Sequence, residues 1–134
     1  MSKNPVVHFE MPAKDKARVA KFYTDAFGWG MQVMGAEYGG YIVATTADSD
    51  EKSGRPKEPG AINGGFFEWK EDNNLPSVVI SVGNIDEAMK NIEAAGGKVV
   101  SKPQNIPEVG MWAVFTDSEG NRVSILQPSM PPQG

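Results

Sequence analysis

The sequence predicts an α+β protein built from two tandem β-α-β-β-β units, residues 5–69 and 76–128. Three observations predict it. Short apolar runs with strand-like alternation recur along the chain, and 15 glycines and 10 prolines lie scattered between them as turns, not massed in one disordered tract. Two stretches change to a helical period. The pattern also repeats: a shift of 69 residues lays His8 on Ser77, Phe9 on Val78, Met11 on Ile80, Asp15 on Asn84 and Gly28 on Gly97. Strand, helix cap and helix-ending glycine keep the same intervals in both copies. Two such copies bury faces that neither would bury alone, within one domain of 134 residues.

The elements follow in order. Residues 6–11 alternate, with Val7, Phe9 and Met11 on one side and His8 and Glu10 on the other, and Pro12 is expected to stop the strand. Asp15 opens a helix to about Phe27, whose stripe is Val19, Phe22, Tyr23 and Ala26, and Gly28 suits its end. Strand-like runs follow at 29–36 and 40–46. Residues 47–60 hold seven charged side chains and read as a solvated loop or flap. A run at 61–69 closes the first copy, and 70–76 is a polar linker. In the second copy, 77–82 is a strand, and Asn84 with Glu87 resembles a capping box. Ile85, Met89 and Ile92 supply a helix stripe ended by Gly96-Gly97. Strands are expected at 98–101, 110–116 and 121–127, followed by a loose tail rich in proline and glutamine.

Composition excludes several chemistries. Lys and Arg total 13 against 17 Asp and Glu, a net charge of −4, and there are only three arginines, so nucleic acid is not an expected partner. Without cysteine there are no disulfides, thiol nucleophiles or thiolate metal sites. His8 is the single histidine, so any imidazole chemistry rests on that residue. The N-terminus has no apolar signal-like core and no run is long enough to span a membrane, which leads to the expectation of a cytoplasmic protein.

His8-Phe9-Glu10-Met11-Pro12, then Asp15, Phe22-Tyr23 and Phe27-Gly28-Trp29, resemble the opening of the vicinal oxygen chelate superfamily of glyoxalases, bleomycin-resistance proteins and extradiol dioxygenases. Ser81-Val82, Ile85-Asp86-Glu87-Ala88, Gly96-Gly97-Lys98-Val99 and Asp117-Ser118-Glu119-Gly120-Asn121 agree with the second half. The resemblance covers residues 6–127 and is nearest the branch related to lactoylglutathione lyase. It implies that the sheets of the two units curve together into a cup that holds a small molecule. In metal-dependent members it also implies a divalent ion acting as a Lewis acid, with ligands from the first and last strands of each unit. Carried over, those positions are His8, Asn63 or Gly64, Ser77 and Ser124. One imidazole with two hydroxyls is a poor donor set for a transition ion, and Glu10, on the face of His8, is not at a family ligand position.

No cofactor is therefore expected. The leading expectation is a metal-independent small-molecule-binding protein, working as a homodimer, with ligand contacts from His8, Glu10, Asn63, Phe67, Ser77, Trp112 and Ser124. The alternative is a lyase, isomerase or dioxygenase with a degenerate metal site. A third class is an interaction module with a vestigial cavity. Each residue also has an ordinary structural role open to it: His8 as a hydrogen-bonded polar side chain, the aromatics Phe66, Phe67, Trp69 and Trp112 as core. Asn63-Gly64-Gly65 is read as a bulge or a close backbone approach.

Overall fold

A computed structural model describes residues 3–129. Residues 130–134, where most of the expected tail falls, lie outside the described residues. The chain divides into two compact units, residues 8–76 and residues 77–129 with 3–7.

The N-terminal unit is built from β1 (Val6–Ala13), α1 (Lys16–Phe27), β2 (Gly30–Val33), a 3-10 turn at Ala36–Tyr38, β3 (Ile42–Thr45) and β4 (Asn63–Glu68). Its strands run β2-β3-β4-β1, with β4 parallel to β1 and the other pairs antiparallel. Pro12 does not stop β1. A proline removes one amide donor but keeps an extended backbone, and here Pro12 pairs with Phe67 while the strand continues to Ala13. Asp15 caps α1 by accepting from the Arg18 amide, and Gly28 ends it at φ 73°, a left-handed conformation that glycine adopts without a Cβ penalty. The helix stripe is narrower than its spacing suggested. Val19 and Tyr23 pack on Phe9, Met11, Ala13, Ile42, Ala44 and Phe66, while Phe22 is left 56% exposed. Tyr23 stacks on Trp29 at 4.6 Å, which fastens the helix end to the sheet.

The C-terminal unit repeats this plan with β5 (Ser77–Ser81), α2 (Ile85–Ala94), β6 (Lys98–Val99), β7 (Gln104–Ile106), β8 (Gly110–Thr116) and β9 (Arg122–Pro128). The order is β5-β9-β8, with β6 and β7 both on the outer edge of β8. Asn84 accepts from the Glu87 amide at the start of α2. The core is Val82, Ile85, Ala113, Phe115 and Ile125, with Ala88, Met89 and Ile92 of the helix against it. β7 was not expected, because Gln104 and Asn105 are polar and prolines flank the segment. It persists as an edge strand, where one pairing partner suffices. The glycine equivalence also shifts by one. The left-handed residue after α2 is Gly96 at φ 100°, while Gly97 is required for space, since a Cβ there would lie 2.8 Å from the Thr116 carbonyl oxygen.

Among the described residues no helix is long and apolar enough to cross a membrane.

Candidate functional site

Alternation along each strand sorts the predicted residues. In the N-terminal unit Phe9, Met11 and Phe66 pack toward α1, so His8, Glu10, Asn63 and Phe67 fall on the opposite sheet face. The register fixes their neighbours: His8 pairs with Asn63, Glu10 with Gly65 and Pro12 with Phe67. Of the two alternatives for the position across from His8, Asn63 shares its face. Gly64 lies on the core side, against Phe9. In the C-terminal unit Ala113, Phe115 and Ile125 pack toward α2, which leaves Ser77, Trp112 and Ser124 on the face opposite that helix. Ser124 is sunk in the sheet at 4% exposure, whereas Ser77 and Trp112 are half-buried.

The N-terminal face carries a polar group that the sequence did not announce. Tyr41, just before β3, donates from its hydroxyl to Glu10 Oε2 over 3.2 Å. Its ring lies across Gly65, where any Cβ would collide with it. The absence of a side chain at Gly65 is thus what admits Tyr41 to Glu10. Burial raises the Tyr41 pKa far above the ordinary phenol value, reinforced by the Glu10 charge and the shared hydrogen bond. The phenol stays a proton donor throughout the physiological range. Desolvation lowers the His8 pKa, although the residue keeps more than a third of its surface open. His8 is therefore held toward the neutral imidazole at pH 7.

Asn63 has a structural task. Its Oδ1 accepts from the Thr46 amide at 2.8 Å and the Ala47 amide at 3.3 Å, while the Thr46 hydroxyl bonds the Ile62 carbonyl. These contacts clasp the two ends of the charged loop 47–62. Asn63 is singled out by the family ligand position it matches, and the sequence carries no signal for this loop contact. Nothing in the sequence marked Tyr41, because its partner lies 31 positions away. Phe66, one of the aromatics considered for a cavity, is 2% exposed and belongs to the helix-side core. The Asn63-Gly64-Gly65 step is the close backbone approach and not the bulge. Its pairing with β1 is unbroken, a Cβ at Gly64 would meet the Phe9 carbonyl oxygen and ring, and one at Gly65 would meet the Tyr41 ring.

The sequence profile of the Glyoxalase/Bleomycin resistance protein/Dioxygenase superfamily matches residues 6–125. The chain belongs to that superfamily. Among superfamily relatives it is 31% identical over 128 residues to anthracycline biosynthesis protein DauV of Streptomyces sp. (strain C5), covering 84% of this chain and 42% of that protein. It thus spans less than half the length of that curated relative. A glyoxylase-like domain-containing protein of Didymella fabae is 34% identical over 122 residues, covering 87% of this chain and 88% of that one. Among solved structures, a variant of Streptomyces coelicolor methylmalonyl-CoA epimerase bound to 2-nitronate-propionyl-CoA superposes with a TM-score of 0.69. That match has 14% identity and covers 99% of this chain and 100% of the epimerase chain, a likeness of fold.

The superfamily's metal chemistry needs a fitting donor set, and these residues do not fit it. His8 contributes one imidazole. The Asn63 oxygen is committed to loop amides, Ser77 and Ser124 are neutral hydroxyls, and Glu10 is hydrogen-bonded by Tyr41. Among the described residues no three His, Asp or Glu side chains converge. Soft-to-borderline ions such as zinc or nickel need imidazole or carboxylate donors in number. What the N-terminal face does offer is a carboxylate, a permanently protonated phenol and a neutral imidazole, a set suited to orienting hydrogen-bonding groups of an organic ligand.

Proposed function

We propose that this superfamily member is a metal-independent small-molecule-binding protein, and that the ligand is seated on the sheet face of the N-terminal unit that carries His8, Glu10, Tyr41, Asn63 and Phe67. The observation that supports the reading most is the Tyr41–Glu10 pair over Gly65. A half-buried carboxylate and phenol aimed at one another on a sheet face are costly to desolvate, and a site that fixes a ligand's orientation accounts for them. Ser77, Trp112 and Ser124 are proposed as ligand contacts on the equivalent sheet face of the C-terminal unit taken by itself. A homodimer is also proposed, supported by the exposed apolar side chains Phe22, Phe27 and Val33.

A thermal-shift screen with thiols, aldehydes, catechols and aromatic antibiotics tests the reading. A ligand specific for the native state raises the melting temperature, and His8→Ala and Glu10→Gln should abolish that rise without disturbing the α1-side core. Tightly held stoichiometric zinc or nickel in protein purified without added ions, lost in His8→Ala, would replace this reading with that of a metal-dependent lyase, isomerase or dioxygenase.

A further inference from the structure

The charges of α1 oppose its own dipole. Lys16 and Arg18 stand in its first turn and Asp25 in its last, with no acid at the start and no base at the end. Free peptide N–H groups make a helix start partly positive and free carbonyls make its end partly negative, so each of these side chains sits at the end of its own sign. The equivalent helix α2 follows the ordinary rule and opens with Asp86 and Glu87. Arg18, Lys21, Phe22, Asp25 and Ala26 line one shallow groove on α1, apart from the Val19 and Tyr23 positions that join the core. Lys21 pairs with Asp25 along the helix, while no carboxylate pairs with Arg18 among the described residues. Phe22 lies between the two ends of the groove with more than half of its surface exposed.

We propose that α1 is the docking surface for α1 of a second copy of this chain, the two helices running antiparallel across a two-fold axis near Phe22. The proposal rests on the homodimer reading and names the surface that makes it. Arg18 and Asp25 are seven residues, about two turns, apart on one stripe, with Phe22 between them. A two-fold axis perpendicular to the helix at that level sets Arg18 opposite the partner's Asp25, Asp25 opposite the partner's Arg18, and Phe22 beside the partner's Phe22. A parallel pair would set like charges against each other at both ends, so the charge order selects the antiparallel one. The same arrangement accounts for the charges that α1 carries against its dipole. In the pair, Arg18 faces the negative end of the partner helix and Asp25 faces its positive end. An aromatic ring at the centre with guanidinium–carboxylate pairs around it is the composition of an interface core.

Charge reversal in the full chain tests the surface, read by sedimentation velocity over a micromolar concentration series. Arg18→Asp and Asp25→Arg each set like charges across the axis, and each should weaken self-association on the order of tenfold. The helix itself should tolerate both, because each puts at its end the sign that the dipole favours, and the exposed Lys21 pair given up by Asp25→Arg is worth little in water. Circular dichroism should show undiminished helix content. An equimolar mixture of the two single variants should recover the parent's association as a mixed dimer, since both of its charge contacts are again of opposite sign. The double variant should recover it alone. If the parent is a dimer and the single reversals associate as it does, another face makes the homodimer and α1 is not the surface. If each single reversal dissociates and neither the mixture nor the double variant recovers, the antiparallel register is wrong. If the parent sediments at one chain mass throughout the series, the homodimer reading and its surface fall together.

Discussion

Gly65 and Tyr41 set the chemistry of the N-terminal face by a steric trade. The glycine gives up a side chain in the middle of β4, and the phenol ring occupies the space and reaches Glu10. Gly65→Ala should therefore expel Tyr41, at a cost of about 1–3 kcal/mol in urea denaturation, the usual scale of overpacking. Tyrosine fluorescence should report the displaced ring. His8 gives a second prediction at this scale. Its folded pKa is lowered from 6.5 by desolvation, so on acidification the unfolded chain takes up the proton first. His8 thus contributes stability that is present above the ordinary histidine value and is lost as the pH falls through the folded value, then levels off. The difference in unfolding free energy between the parent and His8→Gln should trace that loss. Proton NMR of this single histidine should place its midpoint below the ordinary value.

The strands and helices were largely legible because their signals are local. Alternation marked β1 and β5, and Asp15 and Asn84 marked the helix starts as side-chain caps. Boundaries failed where a local signal competed with pairing. Pro12 was expected to end β1, yet the β4 partner carries the strand past it. The charged segment after β3 is the element whose behaviour hangs on one residue. Asn63 Oδ1 holds the Thr46 and Ala47 amides, so Asn63→Ala leaves two donors without that acceptor and loosens the loop at its root. Trypsin should cut the variant faster at Lys52 and Lys57 than it cuts the parent. Global stability should fall by only about 1–2 kcal/mol, since those amides are partly buried and water can replace the acceptor.

At the scale of the whole molecule, the duplicated plan gives each of the two compact units its own helix-backed strands from one set of rules. Each unit buries an aliphatic and aromatic cluster under its helix and leaves the other sheet face for its polar residues. Donor chemistry governs the response to ions. Added zinc or nickel should shift the melting temperature of neither the parent nor His8→Ala, because a single imidazole with hydroxyl and amide oxygens does not retain such an ion. The proposed homodimer should sediment at twice the chain mass at micromolar concentration. A species of one chain mass would remove that part of the proposal.

The sequence by itself determined the family, the two-unit plan and the faces on which His8, Glu10 and Ser77 fall, because alternation and the repeat interval act between near neighbours in the chain. It also determined the poverty of metal donors, which is a matter of residue type. Only the tertiary structure decided which groups meet. It put Tyr41 on Glu10, separated by 31 positions, and it gave the Asn63 oxygen the Thr46 and Ala47 amides at the root of a loop. It also moved Phe66 into the core and left Phe22 in solvent, although both belong to apolar patterns. Such outcomes depend on the β1–β4 register and on the room left by a missing Cβ, and a linear pattern encodes neither until the strands are paired.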